Sequence, residues 1–228
     1  MMVGITKFPG TNNELDVAKV LRSLDIPYRF LFPSDNSLSD LDAIVIAGGF
    51  SYGDYLRAGV LASHTPLMYA IKEFASSGHF VIGICNGFQI LCESRILPGV
   101  LTPNLSTHFI SKWVYVRVES TSSPLLVDLV DDVLMMPIAH YEGRYYAPSS
   151  VLSDLRSNNQ IALRYCDANG VPNSRSNPNG SIDNIAGIVN RSGNVLGLMP
   201  HPERASFDYL GSTDGRKLFE NLLEVVKC

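Results

Sequence analysis

Short apolar segments alternate with amphipathic segments through the first half of the chain. Four apolar runs of strand length predict β-strands at Val3–Phe8, Tyr28–Phe32, Ala43–Ala47 and Phe80–Ile84. Between these runs and after the last one, apolar residues recur at helical spacing. They predict helices around Val17, Val20, Leu21 and Leu24, over Val60–Phe74 and over Phe88–Ile96. Thr11 or Asn12 is expected to cap the first helix, and Pro66 to lie near a helix start. Strands separated by helices predict a mostly parallel, doubly wound α/β sheet with helices on both faces.

The second half of the chain has a different pattern. Strands are predicted at Trp113–Val118, Ile161–Tyr165, Ile185–Val189 and Val195–Met199. The last two are separated by a turn at Asn190–Asn194, so an antiparallel hairpin is expected. Between them and the preceding strand lies Asp167–Asn184, the longest irregular stretch, which is expected to be a functional or mobile loop. Apolar residues on one face predict a closing helix over Gly215–Lys227.

Composition narrows the class of protein. The chain has 228 residues, 46% of them hydrophobic, which fits one domain over residues 1–228 with a well-filled core. With 22 acidic and 18 basic residues, it lacks the clustered positive charge that nucleic-acid binding requires. No apolar run approaches the roughly 18 residues of a membrane span, and the N-terminus does not resemble a signal peptide. A cytoplasmic protein with free thiols is therefore expected, and no Cys or His cluster suggests a metal.

The segment around Cys85 is the most informative for chemistry. An apolar strand runs into Cys85, with Gly83 two residues before it and Gly87 two residues after it, and a helix follows. This is the pattern of a nucleophile elbow, in which a sharp strand-to-helix turn exposes the nucleophile and small neighbours avoid clashes. The helix N-terminus favours a thiolate and offers free N–H groups to an oxyanion. Cys92, inside the same helix without such neighbours, is interpreted as a core side chain.

A thiolate that attacks an amide needs an acid to protonate the leaving group, and histidine suits neutral pH. His201 lies in the segment Pro-His-Pro-Glu just after an apolar strand. Because extended residues two apart project to the same side, Glu203 can orient the imidazole of His201. Cys85, His201 and Glu203 thus form the predicted catalytic triad. His140 is the alternative base.

A second oxyanion donor is expected from a loop beside the elbow strand. Gly48 and Gly49 follow the third predicted strand and allow the backbone to approach a substrate closely. An ordinary glycine turn would have the same sequence. The position at the carboxyl end of a parallel strand, where ligands bind in such folds, favours a functional role.

Together these segments resemble the class I, triad-type glutamine amidotransferases, whose sheet is flavodoxin-like. Within that family, the glutaminase subunits of phosphoribosylformylglycinamidine synthases are similar in further segments: Phe8–Asn13, Gly48–Gly59, Asn177–Ser181 and Met199–Arg204. The resemblance covers nearly the whole chain. It implies that Cys85 attacks the side-chain amide of glutamine, that His201 acts as acid and base, and that Glu203 orients His201.

The resemblance also implies substrate-binding roles and partners. The backbone of Gly49 and Asn86 would hold the oxyanion, and Gln89 would help to hold glutamine. Ammonia would pass to a separate synthetase subunit that binds ATP and Mg²⁺, and a third small subunit completes the complex in some members. The chain itself has no Gly-x-x-x-x-Gly-Lys-Ser/Thr phosphate loop, so no cofactor is expected on it.

Two other readings of the same residues stay open. One is a different thiol amidase or hydrolase on a similar sheet, which would need no synthetase. The other is a non-catalytic regulatory subunit with a relic site. The His201-x-Glu203 pair and the Gly48–Gly49 turn favour a glutaminase over the first reading, and the presence of all three triad members argues against the second.

Overall fold

The computed structural model describes residues 1–119 and 123–227. Over these ranges the chain forms eleven strands, numbered in chain order as β1 (Val3–Thr6), β2 (Tyr28–Leu31), β3 (Ala43–Ile46), β4 (Phe80–Ile84), β5 (Val100–Thr102), β6 (Ile110–Val118), β7 (Val133–His140), β8 (Arg144–Tyr146), β9 (Ile161–Cys166), β10 (Ile185–Val189) and β11 (Val195–Leu198). The helices are α1 (Glu14–Ser23), α2 (Val60–Ser63), α3 (Pro66–Ser76), α4 (Asn86–Glu93), α5 (Ser149–Ser157) and α6 (Arg216–Lys227). No helix within the two described ranges is long and apolar enough to cross a bilayer.

Nine of the strands form one sheet in the order β2-β1-β3-β4-β11-β10-β9-β6-β7. The five from β2 to β11 are parallel, which confirms the doubly wound arrangement predicted for the first half. The hairpin of β10 and β11 is also confirmed. Beyond it, β9, β6 and β7 continue the sheet in antiparallel pairing, so the antiparallel half is larger than the single predicted hairpin.

The central strands are apolar along their whole length because both faces of the sheet are covered. Every residue of β1, β3 and β11 is buried. The helix α4 lies close to the sheet at a pair of glycines, Gly83 of β4 and Gly197 of β11, which are register partners. A Cβ at Gly197 would come within 2.2 Å of Phe88, and one at Gly83 within 2.4 Å of Leu91. Because neither glycine has a Cβ, α4 can pack closely against β4 and β11.

Three predictions about helices need correction. The helix predicted over residues 60–74 is two helices, α2 and α3, because Pro66 has no N–H to continue the first, and Thr65 caps the second through the N–H of Met68. The helix predicted over residues 88–96 spans Asn86–Glu93. The residue before α1 is Asn13, not Thr11 or Asn12, and its side chain makes no capping hydrogen bond.

Candidate active site

Cys85 joins the end of β4 to the start of α4 in the strained backbone conformation expected of a nucleophile elbow. Its φ is 51° and its ψ is −103°, a region that non-glycine residues rarely adopt. The N–H of Cys85 donates to the carbonyl of Leu198 at 2.8 Å, which ties the elbow to β11. Its thiol contacts the carbonyl oxygen of Ala139 at 3.6 Å. The first N–H groups of α4 lie directly beyond the nucleophile and have no partner within the helix.

His201 and Glu203 follow β11, the strand next to β4. His201 has an extended backbone, and its Nδ1 lies 2.6 Å from Oε1 of Glu203. The residues are 2% and 1% exposed, so this contact is shielded from water. Because Leu198 and Ile84 are register partners, the base and the nucleophile leave neighbouring strands at the same edge of the sheet. The structure therefore places the predicted nucleophile and base at the ends of two adjacent strands.

Electrostatics favour the charged form of the pair. Burial by itself lowers the pKa of an imidazole, but the negative charges of Glu203 and Cys85, with hydrogen bonding to both, outweigh it and raise the pKa of His201 to about 10. Burial also opposes ionisation of Glu203, yet the charge of His201 and hydrogen bonds from His201 and Asn13 lower the pKa of that carboxyl. With Nδ1 held by Glu203, Nε2 is the ring nitrogen left for Cys85. It makes no other well-aligned hydrogen bond among the described residues.

Asn13 is a member of this cluster that the sequence did not single out. Its Nδ2 lies 2.8 Å from Oε1 of Glu203 and 2.9 Å from Nδ1 of His201. Its Oδ1 accepts a hydrogen bond from Arg204 at 3.0 Å. The available signal was its place in the segment 8–13, which carried the family resemblance without indicating a role for any side chain.

Gly48 and Gly49 bring the loop after β3 against the same cluster. A Cβ at Gly48 would come within 3.1 Å of the His201 ring. Gly49 has a φ of 145°, and a Cβ there would come within 2.7 Å of the backbone nitrogen of Asn12. An antiparallel bridge to residues 10–12 uses the carbonyl of Gly48 and the N–H of Phe50, so the N–H of Gly49 takes no part in it. That N–H is the candidate oxyanion donor on this loop.

Asn86 and Gln89 lie in the first turn of α4, and their side chains connect that turn to surrounding loops. Oδ1 of Asn86 accepts from the N–H of Ser51 at 3.1 Å, and its Nδ2 donates to Oε1 of Gln89 at 2.8 Å. Gln89 in turn donates to the carbonyl of Glu142 at 2.6 Å. These contacts hold both side chains beside the elbow. The backbone of Asn86 stays at the helix N-terminus, as an oxyanion donor would require.

Two carboxyl groups that the sequence did not indicate flank this turn. Asp54 lies 3.4 Å from Nδ2 of Asn86, and Glu142 accepts a hydrogen bond from the N–H of Ala58. Burial and the nearby charge of Glu142 raise the pKa of Asp54 to about 6. Arg57 forms an ion pair with Glu93 on the adjoining surface. The rim of the site is therefore acidic, which suits a ligand that carries an ammonium group.

His140, the alternative base, is placed differently. It lies at the end of β7 and is 2% exposed. Burial and the charge of His201 lower the pKa of His140 to about 3, so its ring is neutral. Neither ring nitrogen has a hydrogen-bond partner within the described part of the chain. A neutral imidazole that lacks a carboxylate to orient it is a poorer acid than His201.

Comparisons with known proteins identify the family of this chain. Residues 1–220 match the family described as the CobB/CobQ-like glutamine amidotransferase domain, and the chain belongs to that family. The match confirms the resemblance found in the sequence.

Relatives narrow the match further. The chain is 51% identical over 225 residues to phosphoribosylformylglycinamidine synthase subunit PurQ of Aquifex aeolicus, with 98% of this chain and 99% of the relative covered. It is 48% identical over 228 residues to the subunit of the same name from Methanosarcina mazei, with 99% and 98% covered. Among solved structures, PurLQS from Thermotoga maritima matches at 37% identity and a TM-score of 0.86, over 99% of this chain and 98% of that one.

Proposed function

We propose that this chain is the glutamine-hydrolysing subunit of a phosphoribosylformylglycinamidine synthase. The observation that carries the proposal is the elbow of Cys85 one strand away from the buried His201–Glu203 pair. The full-length similarity to subunits of that synthase supports the choice of enzyme.

In the proposed reaction, the thiolate of Cys85 attacks the side-chain amide carbon of glutamine. The N–H groups of Gly49 and Asn86 hold the oxyanion of the tetrahedral intermediate. His201 donates its proton to the departing nitrogen, so that ammonia leaves and a glutamyl thioester remains on Cys85. His201 then accepts a proton from water, which attacks the thioester and releases glutamate and the thiolate. Glu203 keeps the imidazole in the tautomer that both steps need.

The side chain of Gln89 is proposed to help hold glutamine beside the elbow, with Gly48 giving the substrate room.

We further propose that a synthetase subunit takes up the ammonia and converts formylglycinamide ribonucleotide to its amidine in purine synthesis. ATP and Mg²⁺ would bind to that subunit. A small third subunit is part of the proposed assembly, in keeping with the solved PurLQS structure of Thermotoga maritima. A cytoplasmic location remains a prediction of the sequence.

The test is glutamate release from glutamine by the purified chain, with and without a synthetase subunit and its nucleotide substrate. We expect activity that rises with the partner and disappears in Cys85→Ala. Cys92→Ala is the matched control, because Cys92 is a buried thiol inside α4, close to Cys85 in sequence, and this substitution is expected to leave the activity unchanged. Hydrolysis of other amides without any partner effect would favour a different thiol amidase. Folded protein without activity in either condition would favour a regulatory subunit.

A further inference from the structure

We propose that Asn13 is a positioning residue for the triad. Its side chain holds Glu203 and His201 in their working arrangement, and its backbone connects them to the Gly48–Gly49 turn. The inference rests on the proposed function and adds a residue that acts through Glu203 and His201 rather than on the substrate.

Three buried polar atoms meet at the centre of this arrangement. Nδ1 of His201 and Nδ2 of Asn13 lie 2.6 Å and 2.8 Å from the same oxygen, Oε1 of Glu203, and 2.9 Å from each other. Asn13 is 2% exposed, as buried as the two triad members beside it. Hydrogen bonds to a carboxylate that water does not reach are strong and directional.

Arg204 fixes which way the Asn13 amide points. A guanidinium carries only donors and is always charged, so the atom that faces it at 3.0 Å must be the amide oxygen. Nδ2 is then the atom directed at Glu203 and can only donate. Arg204 is itself held by Asp16 of α1 at 3.2 Å. The amide is therefore locked from both ends.

Glu203 decides the tautomer of His201, and the orientation of the Asn13 amide is compatible with it. Oε1 of Glu203 is only an acceptor, and at 2.6 Å the Nδ1 of His201 must carry the proton between them. Nδ1 and the Asn13 amide then both donate to the one oxygen, which keeps the carboxylate charged. The opposite nitrogen, Nε2, is left to exchange a proton with Cys85 and the substrate.

The backbone of Asn13 reaches the other part of the site. Its N–H donates to the carbonyl of Gly48 at 3.2 Å, next to the N–H of Asn12 at 3.3 Å. The carbonyl of Gly48 precedes the N–H of Gly49, the candidate oxyanion donor. One residue thus connects the turn that would hold the oxyanion to the carboxylate that orients the base.

The contacts of the Asn13 side chain with Glu203 and Arg204 take the place of the helix cap that its position predicts. Asn13 occupies the N-cap of α1, where an asparagine side chain ordinarily accepts a hydrogen bond from the first turn of the helix. Here that bond is missing, and the side chain faces Glu203 and Arg204 instead. A serine at this position could cap the helix but is too short to connect those two side chains.

This difference supplies the test. We would compare wild type, Asn13→Ser and Asn13→Ala, with Asn12→Ser as the matched control, because the neighbouring Asn12 side chain is exposed. Each is assembled with the synthetase subunit and assayed for kcat and KM with glutamine. The rate of Cys85 alkylation by iodoacetamide is measured against pH on the chain alone, with peptide mapping to separate the thiols. Thermal unfolding reports on folding.

We expect Asn13→Ser to stay folded, because a new cap on α1 offsets part of the hydrogen bonding lost at Glu203 and Arg204. We expect kcat to fall by about ten- to a hundredfold, the range found for residues that orient a metal-bound histidine. KM should change far less. The midpoint of the alkylation profile should move to higher pH, because a ring that is no longer held stabilises the thiolate less. Asn13→Ala should show the same kinetic changes, and Asn12→Ser should match wild type.

An Asn13→Ser variant with the kcat and alkylation midpoint of wild type would overturn the inference and leave the proposed function intact. Should Asn13→Ser not fold, Asn13→Ala decides in its place, and wild-type kcat with a wild-type alkylation midpoint in that variant would overturn the inference in the same way. If wild type in the complex releases no glutamate, the proposed function fails and the role of Asn13 fails with it.

Discussion

The α-carbon of Gly87 packs directly against the carbonyl oxygen of Ile46, which leaves no room for a side chain at position 87. A Cβ at Gly87 would come within 2.1 Å of that oxygen. Ile46 is the last residue of β3, and Gly87 belongs to the first turn of α4. The contact lets the helix begin immediately after Cys85 while the neighbouring strand passes beneath it.

Gly87→Ala should therefore destabilise the protein strongly. The clash is with backbone at the centre of the sheet, so the elbow must shift, and we expect a loss of about 3 kcal/mol or more in the free energy of unfolding. Urea denaturation would measure it. Gly78→Ala is the control, because no atom of the described residues lies within 4 Å of a Cβ there, and the positive φ of 93° is what opposes alanine. That cost should be nearer 1 kcal/mol, and equal losses in the two variants would contradict the packing argument.

Alkylation of the native protein near neutral pH should select Cys85 over the other described thiols. Burial raises the pKa of Cys92 well above its usual value, with the charge of Glu93 adding to it, and burial raises that of Cys166 to about 11. Neither is expected to form a reactive thiolate. Mass spectrometry of peptides after a short exposure to iodoacetamide would measure the selectivity. Faster labelling of Cys92 than of Cys85 would contradict it, and labelling in urea is the control for access.

The two buried histidines, His140 and His201, should make opposite contributions to the pH dependence of the free energy of unfolding. The pKa of His140 is about 3 in the folded state and near 6.5 in the unfolded chain, so the unfolded chain binds more protons between these values. Stability should fall as pH drops below 6.5, by about 1 kcal/mol per unit from this group. The pKa of His201 is raised to about 10, so this residue contributes stability that is fully present below pH 6.5 and is lost as the pH rises toward 10.

Unfolding in urea at pH 5 to 9 would separate the two contributions. His140→Gln should flatten the dependence between pH 6.5 and 5, and His201→Gln should flatten it between pH 7 and 9. Unchanged slopes in both variants would show that neither histidine titrates as the buried geometry requires.

Asp54→Asn should stabilise the protein at pH 7.5. The pKa of Asp54 is about 6 when folded and near 3.9 when unfolded, so the folded state holds its proton more tightly and loses stability as pH rises between these values. The gain on removing the charge is about 1 kcal/mol once partial exposure is allowed for. It should vanish near pH 4. Asp128→Asn, on the surface, is the control and should change nothing at either pH.

The sequence predicted best where burial leaves a simple pattern. Strands β4 and β10 begin and end at the predicted residues, since strands covered on both faces are unbroken apolar runs. Strand β7 was missed because Pro137 interrupts it. The proline is tolerated because β7 is the last strand in the order of the described sheet. The N–H that proline lacks is therefore not needed to pair with a further strand. Its carbonyl instead accepts the N–H of His201 at 2.8 Å.

The candidate triad could be recognised because each member has a local signature: an elbow, a strand end and an extended His-x-Glu. The roles of Asn13, Asp54 and Glu142 could not be recognised, because they depend on contacts between distant segments. Asn13 meets Glu203 across 190 positions of sequence. A polar residue before a helix predicts a cap, and only the folded chain shows that this asparagine turns away from its helix.

The strand pair that carries the nucleophile and the base is bonded on both outer sides, β4 to β3 and β11 to β10. The backbones of Cys85 and of the residues leading to His201 are therefore kept at the spacing of adjacent strands, about 4.8 Å. Pulling them apart would break the middle of the sheet. A subunit that switches this centre on or off must act instead on the loops and side chains around it, and the rate can change while the sheet stays rigid.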